Sequence, residues 1–473
     1  MIIGLDIDNV IADLDKTYLE YFLREDKNKR DSGIINSKAR NITDGMFDWS
    51  EKEVDDFIAD NMDEMGQKLS VIKNAKFYID KLREDNHQIY LLTHRKNKYW
   101  KNPEVITKQW LAEHKIHYDE LIFTESTDKS SECMKHNIDI MFDDSITNCT
   151  MMVKAGIQCY VFKTRYNESY KKNLKMVCNW EDLYKTVSEK SKKLKIILDT
   201  DTYNECDDRF ALAYLLKSLD KFDVQAITVA PYRHEKVKET IAEGTEKSYN
   251  EICKICRWLD FDVSGKVFKG ALNYLKDGMT DNEAVDKIIE IALQNDKTYI
   301  MAIGAITNVA MAIVKEPKII EKIEVIWLGG NSLLLTDNNE FNFKQDIEAV
   351  KVVFESRVKL TVIPAKGVAS NLMTSIYELE HYLKDKSDLC DYLCHVFQKD
   401  GYHKPQERRV IWDISVVAYL INDNWFECQK VNCPNINDDT SYEIDTQNHE
   451  ITMVNYINAK LVYKDLFAKL GSK

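Results

Sequence analysis

The first 185 residues alternate short apolar runs with longer stretches in which apolar residues recur at helical spacing. "IIGLDID", "QIYLLTH", "IDIMFDD" and "IQCYVFK" are near-continuous apolar runs, whereas "NAKFYIDKLRED" and "ITKQWLAEH" carry one apolar face. Short apolar strands alternating with amphipathic helices predict a parallel sheet covered on both sides. After the Lys- and Ser-rich stretch "KTVSEKSKKLK" the pattern restarts with "KIILDTD", "VQAITVAP", "TYIMAIG", "IEVIWLGG" and "KLTVIPA". The chain therefore reads as α/β class with two parallel-sheet α/β domains, residues 1–185 and 195–473, joined by a linker at 186–194. The strand-end motifs differ between the halves, so the second is not a repeat of the first.

In open α/β sheets the ligand crevice lies at the carboxyl ends of the strands, and both halves place acids there. The first run ends in Asp6 and Asp8, whose spacing of two directs both side chains to one side of an extended segment. "QIYLL" ends at Thr93, with His94 and Arg95 next; "IDIMF" ends at Asp143 and Asp144; Lys129 opens a helix before it. Phosphoryl transfer to a carboxylate needs such groups: a nucleophile, a second acid for the leaving oxygen, a magnesium ion, and donors for the phosphoryl oxygens. In the second half, "DTDTYNECDDRFA" places Asp199, Asp201, Asp207 and Asp208 between "LKIIL" and a helix beginning near "FALAYLL". Carboxylates this dense repel one another unless a cation sits among them, and a hard divalent ion with oxygen ligands is the natural partner.

Length and composition narrow the field. At 473 residues the chain is too long for one ordinary core. A net charge of −13 without a basic stripe argues against a general nucleic-acid binder and for a small-molecule substrate. No leader pattern and no run of about 18 apolar residues is found, so the expectation is a cytoplasmic protein without a membrane partner. A homo-oligomer is left open. Eleven irregularly spaced cysteines suggest reduced thiols, and Cys253 and Cys256 are read as structural thiols in preference to a zinc site.

Residues 1–185 resemble the haloacid dehalogenase superfamily, in its 5′(3′)-deoxyribonucleotidase-like branch, through "DIDNVIAD", "LLTHR", Lys129 and "IMFDDS" in family order. The resemblance implies a Rossmann-like domain with a small helical cap at about 14–75, in which Phe47 and Trp49 are expected to cover a base. It makes Asp6 the nucleophile and Asp8 the general acid/base, sets Thr93, His94 and Lys129 on the phosphate, and completes a Mg²⁺ site of Asp6, Asp8, Asp143 and Asp144. Asn9 departs from the pattern, standing where many members have glycine.

Most of residues 195–470 resemble the inosine–uridine-preferring nucleoside hydrolase family through the acidic turn, "AIGAITNVAMAI", "VIWLGGN", "NNEFNFKQDIEA" and "VIWDISVVAYLI". The resemblance implies Ca²⁺ held by Asp201, Asp208, Asp413 and the carbonyl of Ile303, with Asp201 also the base that deprotonates the attacking water. It sets Asp207 and Asn342 on ribose hydroxyls and Asn339 and Glu340 near the 5′ end of the sugar. Trp412 stands where the best-known branch has histidine; indole stacks on a base but cannot protonate it. "TYNEC" is longer than the usual spacing and brings Asn204 toward the site, and His234 is a candidate leaving-group acid in the loop before "EKSY". Asp346 reads as a helix cap and Asn308 as a turn residue.

Together the two resemblances imply a bifunctional salvage enzyme that removes phosphate from a nucleoside 5′-monophosphate and hydrolyses the N-glycosidic bond, including that of a modified base such as queuine. Two other readings stay open at this stage. One is a hydrolase of nucleosides or their monophosphates with a non-catalytic first domain; the other is a nucleotide sensor in which neither site turns over.

Overall fold

The computed structural model describes all residues except 40, 43, 96, 97, 169, 171–173, 235–239, 336, 400–406 and 473. The chain forms two compact units, Met1–Lys192 and Lys193–Lys473. Residues 186–190, expected in a linker, instead complete the helix Trp180–Lys190. Its buried Trp180, Leu183 and Val187 share one face, and this apolar stripe outweighs the polar composition of the segment.

The first unit has a six-stranded, all-parallel sheet of β1 (Ile2–Leu5), β2 (Gln88–Thr93), β3 (Glu120–Phe123), β4 (Ile140–Asp143), β5 (Cys159–Phe162) and β6 (Met176–Val177). The order is β3-β2-β1-β4-β5-β6, so the strands bearing the first and last acidic motifs, β1 and β4, are neighbours at the centre. β3 and β6 escape the hydropathy pattern because they are edge strands of four and two residues. Two long helices, α1 (Leu14–Lys29) and α2 (Glu51–Gln67), lie between β1 and β2. They enclose their own aromatic cluster of Phe22, Phe47, Trp49 and Phe57, as a cap should.

The second unit has an eight-stranded sheet. Its parallel part contains β7 (Leu194–Thr200), β8 (Phe222–Val229), β9 (Val267–Phe268), β10 (Thr298–Ala302), β11 (Ile323–Leu328) and β12 (Lys359–Ile363), in the order β12-β11-β10-β7-β8-β9. Strand Glu450–Ile457 extends it beside β12, and the antiparallel strand Phe426–Asn432 closes that edge. Alternation along the central strands feeds two cores: Ile196, Leu198, Met301 and Ile326 enter one, and Ile197, Ile300, Val325 and Trp327 the other. The helix Asp207–Leu216 is buried along its whole length, which drives its first two aspartates into the interior beside the end of β7.

Among the described residues no helix is long and apolar enough to cross a membrane. None of the eleven cysteines is in a disulfide, those at 253 and 256 included.

Candidate active sites

In the first unit the acids converge at the ends of β1 and β4. Carboxylate oxygens of Asp6, Asp143 and Asp144 lie within 4.8 Å of one another, and all three residues are buried. Lys129 bridges two of them, 2.7 Å from Asp6 Oδ1 and 2.7 Å from Asp143 Oδ2. Burial works against its charge, but the two carboxylates outweigh that and hold the ammonium above its ordinary pKa. Asp6 is pushed up to about 7 by burial, with Lys129 opposing and Asp143 and Asp8 adding to the shift. Burial first, then Asp6 and Asp143, holds Asp144 well above the carboxylate range. Four carboxylates (Asp6, Asp8, Asp143, Asp144) thus meet two cations (Lys129, Arg95), and a divalent ion fits the two charges left over. Thr93 Oγ1 is buried without a hydrogen-bond partner, an orphan donor at the end of β2 suited to a phosphoryl oxygen.

Asn9 explains its own departure from the family pattern. Its φ is +60°, the left-handed region where glycine is favoured and asparagine tolerated, and its amide donates to Asp144 Oδ2 at 2.9 Å. The side chain adds a contact glycine would lack. Tyr166 also donates to Asp144, and Asn148 to Asp143.

Two expectations are corrected in this unit. Phe47 and Trp49 do not face a ligand: they are 3% and 8% exposed, packed on Phe22, and the Trp49 indole N–H donates to Asp26 at 2.9 Å. Their ring surface holds the cap together. His94, set on the phosphate by the resemblance, instead engages Nδ1 with the Thr124 carbonyl at 3.0 Å, bracing the ends of β2 and β3. The neighbouring Arg95 reaches the acids: its guanidinium clasps Asp8 through Nε at 3.1 Å and Nη2 at 2.7 Å, donates to Thr107, and stacks 4.6 Å above Trp100. Asp13 caps α1, donating no charge to the acid cluster.

In the second unit a cavity of about 190 Å³ is lined by Asp201, Asn204, Glu205, Asp207, Asp208 and Asp413 on one side. Ile303, Asn339, Glu340, Phe341, Asn342, Lys366 and Trp412 line it elsewhere. Oxygens of Asp207, Asp208 and Asp413 fall within 4.8 Å of one another. Burial pushes Asp208 up to about 7, with Asp207 adding to the shift. Burial and then Asp208 hold Asp201 well above the usual range; burial and then Asp207 do the same to Asp413. Thr200 donates to Asp208 Oδ1 at 2.6 Å, and Asn204 Nδ2 to Asp201 Oδ2 at 3.0 Å. Asn204 Oδ1 remains buried and unpartnered, an acceptor that joins the carboxylates in suiting a hard cation. A Cβ on Gly304 would stand 3.0 Å from Asp201 Oδ1, so the glycine of "IGAIT" leaves that oxygen room.

The remaining wall is built from hydrogen bonds. Asn342 Nδ2 donates to the carbonyls of Ile303 and Leu328, while the Trp412 backbone N–H donates to Asp207. Glu340 is more structural than expected: its two oxygens accept the N–H groups of Gly330, Asn342 and Phe343, capping the short helix Phe341–Gln345. His234 is buried with its ring 5.9 Å from that of Phe341, which lines the cavity. Asp346 caps its helix and accepts from Thr307; Asn308 ties Asp199 to the Val229 carbonyl, both scaffold contacts. Lys366, in the loop after β12, is a lining residue that the sequence pattern does not single out.

The fold and the clusters define an α/β protein with one acidic centre in each unit. Residues 196–451 match the family described as inosine-uridine preferring nucleoside hydrolase. Residues 1–194 match the family described as 5′ nucleotidase, deoxy (pyrimidine), cytosolic type C protein. The inosine-uridine preferring nucleoside hydrolase of Crithidia fasciculata is 25% identical over 183 residues, 36% of this chain and 57% of that protein. A nucleotidase of Clostridium acetobutylicum is 27% identical over 132 residues, 28% of this chain and 65% of that protein. The matched stretches thus span less than two thirds of either relative. A solved plant nucleoside hydrolase superposes with a TM-score of 0.50 at 16% identity, over 60% of this chain and all of that one, which shows a shared fold. The chain belongs to the inosine-uridine preferring nucleoside hydrolase family, with a 5′-nucleotidase-type unit preceding the hydrolase unit.

Proposed function

We propose that the protein is a bifunctional enzyme of nucleotide salvage, a phosphatase for nucleoside 5′-monophosphates and an N-glycosidase releasing free base. The observation that supports it most is the pair of buried acid clusters, one per unit, each at the ends of parallel strands and each flanked by an orphaned polar atom. In the first unit Asp6 attacks phosphorus, Lys129 and Thr93 hold the phosphoryl oxygens, and Asp8, oriented by Arg95, protonates the leaving oxygen. Mg²⁺ held by Asp6, Asp8, Asp143 and Asp144 would neutralise charge on the phosphoryl oxygens.

In the second unit Asp201 removes the proton from the attacking water, and Asn204 fixes its carboxylate. The surrounding carboxylates stabilise the positive charge that develops on the sugar as the C1′–N bond breaks. Asp207 and the Asn342 carbonyl oxygen face the ribose hydroxyls, and Trp412 stacks on the base. Ca²⁺ held by Asp201, Asp208, Asp413 and the Ile303 carbonyl would supply Lewis acidity toward water and sugar. A cytoplasmic setting and a modified base such as queuine complete the proposal.

A mass-spectrometric product screen over ordinary and 7-deazaguanine nucleosides and monophosphates tests it. Asp6→Asn should abolish phosphate release and Asp208→Asn should abolish base release. Phosphate release that survives Asp6→Asn, or base release that survives Asp208→Asn or full chelation, defeats the corresponding half.

A further inference from the structure

The hydrolase cavity is asymmetric in charge. Six carboxylates line it, from Asp201, Glu205, Asp207, Asp208, Glu340 and Asp413, and among the described residues one cationic side chain, that of Lys366. Asp201 follows β7 and Lys366 lies in the loop after β12, with β10 and β11 between the two strands. Lys366 is exposed and makes no ion pair with a described residue, whereas lysines elsewhere on this unit, such as Lys297 and Lys359, pair with buried Glu324.

Its position is built, not incidental. The Lys366 N–H donates to Asn331 Oδ1 at 3.3 Å, its carbonyl accepts from Ser332 at 3.0 Å, and Ala365 donates to the Gly330 carbonyl at 2.8 Å. Gly367, at φ +89°, supplies the left-handed turn that follows. The same Gly330–Ser332 turn holds Glu340 and Asn338, through Gly330 N to Glu340 Oε2 and Asn331 N to Asn338 Oδ1. Lys366 therefore belongs to the wall assigned to the 5′ end of the sugar. A neutral 5′ hydroxyl needs a hydrogen-bond partner there, not a full positive charge. The Glu340 oxygens accept backbone N–H groups, which fix that carboxylate in the wall.

We propose that Lys366 is the receptor for a 5′-phosphoryl group, so that the glycosidase pocket takes the sugar with its phosphate still attached. This rests on the glycosidase reading of the pocket and adds an activity to it. In the reaction, the C1′–N bond breaks with its electron pair leaving on the base, and water oxygen forms the new bond to C1′. Of the two water protons one stays on the new hydroxyl and the other, taken by Asp201, ends on the base. The products are free base and ribose 5-phosphate.

The test is independent of which base is used. Titration calorimetry with ribose 5-phosphate and with ribose, in calcium, uses the full-length Asp6→Asn protein so that the sugar phosphate persists. The expected result is ribose 5-phosphate binding about tenfold or more tighter than ribose, equivalent to about 1.4 kcal/mol. Lys366→Met should collapse that ratio and Lys366→Arg should retain it, with thermal melts of each variant verifying the fold. Equal affinity for the two sugars, or a preference that survives Lys366→Met, overturns the inference while leaving a sugar pocket. Binding of neither sugar removes the glycosidase reading as well.

Discussion

Arg95 offers the sharpest test of the phosphatase half. Its side chain is 1% exposed and that of Asp8 20%, so the bidentate pair is largely removed from water. Arg95→Met leaves Asp8 without its counter-charge, and breaking a buried pair in this way costs about 3–5 kcal/mol; the partial exposure of Asp8 places the loss near 3. The catalytic effect is separable from the stability effect. Without the fork of Nε and Nη2, the Asp8 carboxyl is free to rotate, and displacement of a reacting group by about 1 Å costs on the order of 10²-fold in rate. Protonation of the leaving group matters for a nucleoside, whose alkoxide is a poor leaving group, and little for p-nitrophenolate. Phosphate release should therefore fall about 10²-fold in kcat for a nucleoside monophosphate but only a few-fold for p-nitrophenyl phosphate, measured well below the variant's melting temperature. Equal losses on the two substrates would show that Arg95 serves only the fold or the phosphate, and the positioning argument would fail.

Other substitutions probe the remaining elements. Asn9→Val forces a β-branched residue into φ +60° and should destabilise the first unit by about 1–2 kcal/mol, seen as a lowered melting temperature, whereas Asn9→Gly should melt close to the parent. A reversed ranking contradicts the backbone explanation. Trp412→Ala removes the stacking wall, worth about 1–3 kcal/mol per base, and should raise KM for nucleoside about tenfold with a smaller change in kcat. For pH, Asp208 rises from 3.8 to about 7 in the fold, so the folded state binds the extra proton between those values and metal-free stability falls as pH rises through that window. Calcium binds the deprotonated acids, so the increase in melting temperature on adding calcium should be larger at pH 8 than at pH 5; an equal increase refutes the assignment of the cluster.

Asp6, Asp8, Asp143, Asp144, Asp199 and Asp201 were legible in sequence because they end or follow apolar strands, whereas Asp413 was marked only by the family resemblance. What the strand-end rule could not supply were pairings across long separations. Asp8 and Arg95 are 87 residues apart, and only the adjacency of β1 and β2 joins them. The direction of a ring was equally hidden: nothing in "MFDW" tells whether Phe47 and Trp49 meet solvent or the apolar face of α1, and burial in the cap decided it. Edge strands such as Phe426–Asn432, mostly exposed and polar, carry no apolar run to detect. Lys366 illustrates a different limit, since one lysine in the loop after a strand is unremarkable until the cavity shows the excess of acid around it.

The two centres solve charge crowding differently, and the difference has a consequence. In the first unit Lys129 is a permanent cation between Asp6 and Asp143, buried at 1% exposure and hydrogen-bonded to both, so part of the repulsion is cancelled by the chain itself. In the second unit the corresponding work is done by neutral donors, Thr200 on Asp208 and Asn204 on Asp201, while Arg209 on the same helix is engaged by Glu251 at 3.0 Å. Hydroxyls and amides orient a carboxylate but bring no charge; burial first, and then the neighbouring acids, hold Asp201, Asp208 and Asp413 above the carboxylate range. The cluster of the second unit is thus left with more uncompensated acid than that of the first, where Lys129 supplies part of the positive charge from within the chain.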